Sequence, residues 1–367
     1  MDIMSNAHIA FYRKYRPQHF KDVAGQDHIV RVLESSITLG RISHAYLFYG
    51  SRGTGKTSVA RIFARALGTT SDDLYEIDAA SNTGVDDVRA LNESVATLPF
   101  SSKYKVYIID EVHMLSKAAF NALLKTLEEP PAHVVFVLAT TEMEKLPETV
   151  VSRCQTFAFK KPSVPLLSEF LQKVSKKEGV TLDKASAELI ALLAEGSFRD
   201  AHGLLEKVAI TAKNGKIDIE VIEAIAGAPR NELVNTYLEA FSEKDATKGL
   251  GAIHEAVKAN ADMKFFLRLS LYKLRAILLY KYAPDLRPTL MEELGAHDAA
   301  FVARMSEKKI IDSQVLLALL NADEYMEVSS VAGLPLELAL IGFMEHRDAH
   351  PGTPVSKQYR PLRQAAG

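Results

Sequence analysis

Through roughly its first 160 residues the chain alternates short apolar runs with amphipathic stretches. The runs are Ala45 to Tyr49, Leu74 to Asp78, Lys105 to Asp110 and Val134 to Ala139. Those around Ile108 and Val137 are apolar almost without a break, as strands covered on both faces must be. Such runs separated by helical periods predict a parallel sheet with crossover helices, an α/β domain over residues 1–162. After Lys161-Pro162 the strand signals stop. Helical periods take over at Leu166 to Ser175, Ala185 to Leu193, Arg199 to Lys213 and Ile219 to Ile225, punctuated by Gly179, Gly196 and Gly215. A break at Gly227-Ala228-Pro229 opens another helical block, apolar-rich at Leu233 to Phe241, Phe265 to Leu279 and Val315 to Tyr325. The expected division is therefore an α/β domain, a small helical domain over 163–228, an all-α domain over 229–346 and a disordered tail over 347–367. The apolar stripes of the last block can close their own bundle or face another subunit; periodicity does not separate the two.

Composition narrows this picture only at a few points. The 367 residues, 47% hydrophobic and 25% charged, suffice for two or three packed domains. A formal charge of -2 supplies no global basic field, so any contact with nucleic acid must be local or depend on assembly. The N-terminal residues contain no apolar core with a small-residue cleavage site, and no apolar run approaches the length of a membrane span. A cytoplasmic location with no membrane association is expected. Cys154 is the single cysteine, which excludes an intramolecular disulfide and a thiolate metal cage; it is read as a small buried hydrophobe.

Chemistry enters at Gly50-Ser51-Arg52-Gly53-Thr54-Gly55-Lys56-Thr57, which follows the run Ala45 to Tyr49 and precedes the helical stretch beginning at Ser58. This is a P-loop in the setting a P-loop requires. Glycines at 50, 53 and 55 let backbone amides turn inward around phosphate, and the following helix adds its positive end. Lys56 can bridge the β and γ phosphates, and the Thr57 hydroxyl can ligate magnesium. Gly68 reads as the helix stop. Asp110 and Glu111 end the run from Lys105, at the carboxyl edge of the expected sheet where ligands of open α/β folds bind. Asp110 is expected to hold magnesium through water and Glu111 to polarise the attacking water, since phosphoryl transfer needs in-line positioning above all. ATP with Mg2+ is the expected ligand.

The run Val106 to Leu115 continues into Asn121 to Pro131, and together they resemble AAA+ clamp loaders. With Tyr12-Arg13-Lys14-Tyr15-Arg16-Pro17, Gly25-Gln26, His44 to Phe48, Glu76-Ile77-Asp78-Ala79-Ala80-Ser81-Asn82 and Ser152-Arg153-Cys154, the chain is similar to the bacterial DNA polymerase III gamma/tau family. The likeness is dense to about residue 205 and thin beyond. It implies an AAA+ P-loop NTPase domain with a parallel sheet, a small helical lid domain and an all-α collar domain.

The resemblance also assigns roles by position. Thr141, in Leu138-Ala139-Thr140-Thr141, matches the sensor of the γ phosphate, with Thr140 as the neighbouring candidate; a Thr after a strand also serves as a plain turn or cap residue. Arg153 matches the arginine finger that reaches the nucleotide of an adjacent subunit. By itself it reads equally as a surface ion pair. Arg199, in Gly196-Ser197-Phe198-Arg199, matches the second sensor on the lid, with an in-helix salt bridge as the alternative. Tyr12, Arg16 and Val23 belong to the segment that lies near the adenine in this family, although Tyr12 and Val23 also suit a core. His113 reads as structural.

One departure stands out: bacterial relatives carry a four-cysteine zinc module between the P-loop helix and the Glu76-Ile77-Asp78 segment, whereas here only Gly68 to Asp73 intervene. No zinc is expected, and the nucleotide-contacting positions are untouched. The resemblance implies an ATPase subunit that works with other clamp-loader subunits in a homo- and hetero-oligomeric, pentameric ring, loading a sliding clamp onto primer-template DNA. A contact with the DNA polymerase III core is implied only with a longer tau-like tail; the chain ends where that form continues, which reads as gamma-like or as a truncation. Two alternatives remain open at this point: a hexameric AAA+ DNA-processing motor of recombination or Holliday junctions, and a non-hydrolysing clamp-loader scaffold.

Overall fold

The computed structural model describes residues 9–81, 84–212, 215–294 and 296–349. Cα packing divides the chain into two compact units, one of residues 1–174 with 194–206 and another of 175–193 with 207–367. The segment expected as a helical lid is shared between the two.

The first unit is built on five strands, β1 (Ala45–Tyr49), β2 (Leu74–Asp78), β3 (Lys105–Asp110), β4 (Val134–Thr140) and β5 (Gln155–Ala158), in the order β2-β3-β4-β1-β5. Every neighbouring pair is parallel. The period of two along each strand sends alternate side chains to opposite faces. Leu47, Tyr107, Ile109, Phe136 and Leu138 meet Val88, Leu91, Phe120 and Leu123, which belong to helices Val85–Val95 and Lys117–Glu128. Tyr46, Phe48, Ile108, Val135 and Val137 meet Ile29, Leu33, Val59 and Phe63 of helices Asp27–Thr38 and Lys56–Ala66. Each large side chain fully buried in these two layers contributes about 1.5–3 kcal/mol of transfer free energy.

The four expected strands are present, β4 running one residue further to Thr140. The edge strand β5 was not anticipated. Of its residues only Phe157 is buried, so Gln-Thr-Phe-Ala gives little strand signal and is recruited by pairing with β1. Register aligns Tyr49 with Thr140 and Asp78 with Asp110, so the carboxyl ends of four strands form one edge.

Helix ends follow local chemistry. Ser116 caps Lys117–Glu128 by accepting the Ala119 amide at 3.2 Å. Gly68 lies just past helix Lys56–Ala66 at φ +80°, where glycine is favoured. Between that helix and β2 the chain makes one 3-10 turn, Ser71–Asp73, in which the buried Asp73 carboxylate accepts the amides of Phe100, Ser101 and Ser102 at 2.6, 2.9 and 2.8 Å. Burial opposes the charge, but these amides and the Ser102 hydroxyl prevail and hold the carboxyl down to about 2. The loop they anchor exposes Leu98 and Phe100.

In the second unit, helices Asn231–Glu243, Ala246–Lys258, Met263–Tyr282, Ser313–Met326 and Leu334–Ala349 surround Tyr237, Phe241, Phe266 and Phe343. The Tyr237 hydroxyl donates to the Leu336 carbonyl at 2.9 Å, which satisfies the one polar atom of a fully buried ring. Lys273, also buried, donates to the side-chain oxygens of Asn231, Asn235 and Asp298. Helix Leu334–Ala349 includes residues 347–349 of the expected tail, and residues 350–367 lie outside the described ones. Leu317 and Leu320 on one helix, and Leu334 and Leu338 on the helix packed against it, remain exposed. Among the described residues no helix is long and apolar enough to cross a membrane.

Candidate nucleotide site

The carboxyl edge of the sheet opens into a cleft of about 860 Å³. Residues 52–59 line it, together with Asp78, Asp110 and Glu111, all within the first unit. The P-loop takes its shape from glycine. Gly50, Gly53 and Gly55 have φ of +139°, +74° and +102°, a region other residues enter only under strain. Space excludes side chains as well: a Cβ on Gly50 would sit 2.3 Å from the Phe159 carbonyl oxygen, and one on Gly53 would sit 2.0 Å from Ser197 Oγ. Gly53 also accepts the Phe198 amide at 3.0 Å.

Lys56 folds back into this loop, its ammonium donating to the carbonyls of Gly50 and Ser51 at 2.8 and 3.1 Å. Burial lowers its pKa, while Glu111 and Asp110 pull in the opposite direction. Thr57 Oγ1 donates to Asp110 Oδ2 at 2.7 Å, which joins the P-loop helix to the end of β3. Glu111 follows in the left-handed region, at φ 48° and ψ 45°, and this turns its carboxylate along the sheet edge toward β4. There Thr141 donates to Glu111 Oε2 twice, from its backbone amide at 3.2 Å and from Oγ1 at 3.0 Å.

His113 belongs to the same cluster. Its Nδ1 lies 2.9 Å from Thr140 Oγ1 and 3.5 Å from Glu111 Oε2, and its Nε2 lies 3.2 Å from Glu142 Oε1. A buried imidazole thus spans the two strand ends that carry Glu111 and Thr141.

Tyr12, Arg16 and Val23 line the cleft, as does Arg199. The Arg199 guanidinium carbon stands 5.4 Å from the centre of the Tyr12 ring, within cation-π range. The N-terminal segment is secured through Gln26, which donates to the Lys160 carbonyl at 2.7 Å and accepts the Lys160 amide at 3.2 Å. Arg153 does not line the cleft. It donates to Glu128 Oε1 at 2.6 Å and to the Thr149 carbonyl at 2.7 Å, with its side chain one-third exposed. Cys154 packs against the core, and burial pushes its thiol up to about 12, the behaviour of an inert packing residue. Asn82, the last residue of the Glu76 to Asn82 segment, lies outside the described residues.

Sequence reading passed over His202, buried on helix Phe198–Ala209 and lining the same cleft. A lone histidine on a helix face reads as core; its place three residues after Arg199 was the available signal.

Comparison with known proteins gives a consistent picture. A sequence model of the family described as "DNA polymerase III, delta subunit" matches residues 25–80 and 68–163. The chain is 41% identical over 302 residues to DNA polymerase III subunit tau of Bacillus subtilis, covering 77% of this chain and 54% of that protein. With subunit tau of Escherichia coli it shares 39% identity, covering 80% of this chain and 48% of the relative. A subunit gamma of Buchnera aphidicola is 34% identical over 359 residues, covering 92% of this chain and 96% of that one. The chain thus spans about half the length of the tau relatives and nearly all of this gamma relative. Among solved structures, the RuvB Holliday junction branch migration motor of Thermotoga maritima superimposes with a TM-score of 0.50 at 23% identity, over 63% of this chain and 80% of that one, a likeness of fold.

Proposed function

The chain belongs to the DNA polymerase III gamma/tau subunit family, and we propose that it is an ATP-hydrolysing motor subunit of a clamp loader, one that spends ATP to place a sliding clamp on primed DNA. The observation that carries this reading is the 2.7 Å bond between Thr57 and Asp110, which brings the P-loop and the strand-end acid together at the mouth of the cleft. A hydroxyl beside a carboxylate is a hard oxygen pair suited to Mg2+. Those two residues would hold the ion, and bound there it would neutralise charge on the phosphates.

The remaining roles belong to the chain's own groups. Amides of residues 50–57 cradle the phosphates, and the Lys56 ammonium exchanges its two carbonyl partners for phosphate oxygens. Glu111 orients the attacking water. Thr141 and Arg199 report on the γ phosphate, one through a hydroxyl and the other through a guanidinium. Arg153, outside the cleft of its own subunit, serves the nucleotide of a neighbour. The exposed Leu317, Leu320, Leu334 and Leu338 give the last helical domain an apolar surface for joining other subunits in a collar. Intact Lys56, Thr57, Asp110 and Glu111 distinguish this reading from a scaffold without hydrolysis.

The test combines turnover and mass. Purified with its co-isolating partner subunits, the protein should hydrolyse ATP slowly alone and many-fold faster with clamp and primed DNA, and native mass measurement should give five subunits. Failure to take up adenine nucleotide by calorimetry refutes the ATPase reading. A hexameric mass without clamp stimulation points instead to a branch-migration type of motor.

A further inference from the structure

The N-terminal turn Phe11–Lys14 and the Tyr15 that follows it meet helix Phe198–Ala209 three times. The Tyr12 ring takes the Arg199 guanidinium at 5.4 Å from its centre. Tyr15 stacks on His202, with ring centres 6.1 Å apart and planes 9° from parallel. The Phe11 amide donates to Glu206 Oε2 at 3.2 Å. Residues 199, 202 and 206 are spaced i, i+3 and i+7, so a single face of the helix makes all these contacts. Phe11, buried and edge-on to Tyr15 at 5.8 Å, fixes the turn from inside. The segment is thus a strap along the helix that carries Arg199, and both belong to the first unit.

Arg199 and Tyr12 both line the cleft that holds the P-loop. Among the described residues Arg199 forms no ion pair, so the in-helix salt bridge open to its sequence is not made and the ring face is what its charge meets. Attraction to a ring face uses the charge of a guanidinium and leaves its N–H donors for another acceptor. A cation held in this way is oriented without being neutralised.

We propose that Tyr12 is a positioning residue for Arg199: its ring holds the guanidinium at the cleft, and the strapped segment sets how far that charge reaches toward a terminal phosphate. The proposal rests on the reading of the cleft as an ATP site with Arg199 as its γ-phosphate sensor. Arg13 stands 5.7 Å from the centre of the same ring, a second cation whose effect the test separates from that of Arg199.

The full chain is titrated by calorimetry, in Mg2+, with ADP and with the β,γ-imido analogue of ATP, which resists hydrolysis. The quantity read is the ratio of the two affinities, from which contacts to base and sugar cancel. Arg199→Ala should lower that ratio about tenfold or more, the worth of a hydrogen bond between charged groups. Tyr12→Phe, which keeps the ring face, should retain most of it. A ring-trifluorinated phenylalanine at position 12 has nearly the same shape, so the chain folds as before, but its fluorines drain the negative face. It should lower the ratio about threefold relative to Tyr12→Phe, and change it no further in the Arg199→Ala background. Fluorination without effect on the ratio overturns the proposal. An equal drop in the Arg199→Ala background also overturns it, because the ring then acts through Arg13. Both results leave the ATP site and its sensor standing. A wild-type ratio in Arg199→Ala removes the sensor reading and the proposal with it; failure of wild type to bind either nucleotide removes the ATP reading as well.

Discussion

Thr141 gives both of its donors, backbone amide and hydroxyl, to a single oxygen of Glu111. One hydroxyl has one proton, so Thr141 Oγ1 serves either this carboxylate or a phosphate oxygen at a given moment. A γ phosphate that drew the Thr141 hydroxyl away would loosen Glu111 for work on water. Thr141→Val, which keeps the shape and the amide but removes the hydroxyl, should reduce kcat about 10²-fold, the usual cost of one lost donor to a transition state. ATP affinity by equilibrium titration should change far less. A matching loss in affinity would show that Thr141 acts in binding rather than in turnover.

Arg153 and Glu128 form an ion pair on the surface, worth at most about 1 kcal/mol at such exposure. Arg153→Ala should therefore leave the melting temperature of the isolated chain nearly unchanged. In the assembled ring the same substitution should lower clamp- and DNA-stimulated hydrolysis about 10³-fold with nucleotide affinity intact. Rings mixed from Arg153→Ala and Lys56→Ala subunits discriminate further, because a guanidinium acting in trans can be supplied by a subunit whose own P-loop is dead. Normal turnover in rings made wholly of Arg153→Ala subunits would remove the trans role.

Gly53 is constrained twice, by its φ of +74° and by Ser197 Oγ. Gly53→Ala should cost at least about 1 kcal/mol for the left-handed backbone alone, seen as a lower denaturant midpoint. The Ser197→Gly background should recover the part due to the clash and leave the backbone part. If the double variant were as unstable as the single one, the collision with Ser197 would be irrelevant.

Asp73 makes a pH-dependent contribution whose sign is fixed by its depressed pKa. Its folded value, about 2, lies below the ordinary 3.8, so the ionised carboxylate stabilises fully above that ordinary value. The contribution fades as pH falls from near 4 toward 2. Asp73→Asn should be less stable than wild type at neutral pH, and the difference should shrink across that acid window. Circular-dichroism melts at pH 7, 4 and 2.5 measure it; a constant offset would mean that the amides respond to shape and not to charge.

The central sheet and the phosphate loop were legible from residues because β1, β3 and β4 are buried along nearly their whole length, and continuous burial writes continuous apolarity. The edge strand β5 has one buried side chain and left almost no trace. Helix Ala246–Lys258 carries Gly249 and Gly251, residues that weaken a helical signal. Gly249 is there for closeness: a Cβ would come within 2.4 Å of Leu340 and 2.9 Å of Ala240. Arg199 is far in the chain from Tyr12, Arg16 and Val23 and meets them only through the fold, so spacing could not gather the four and resemblance did. Neither source marked His202, whose place beside the cleft follows from packing that no one-dimensional pattern records.

Where Asp73 grips the loop after helix Val85–Val95, it does so entirely through main-chain amides and one serine hydroxyl. A peptide N–H is common to all residues but proline, so the side chains at 98 and 100 are not part of the fastening. Mutation can therefore re-letter that apolar tip, trading one contact surface for another, while the scaffold beneath keeps its geometry.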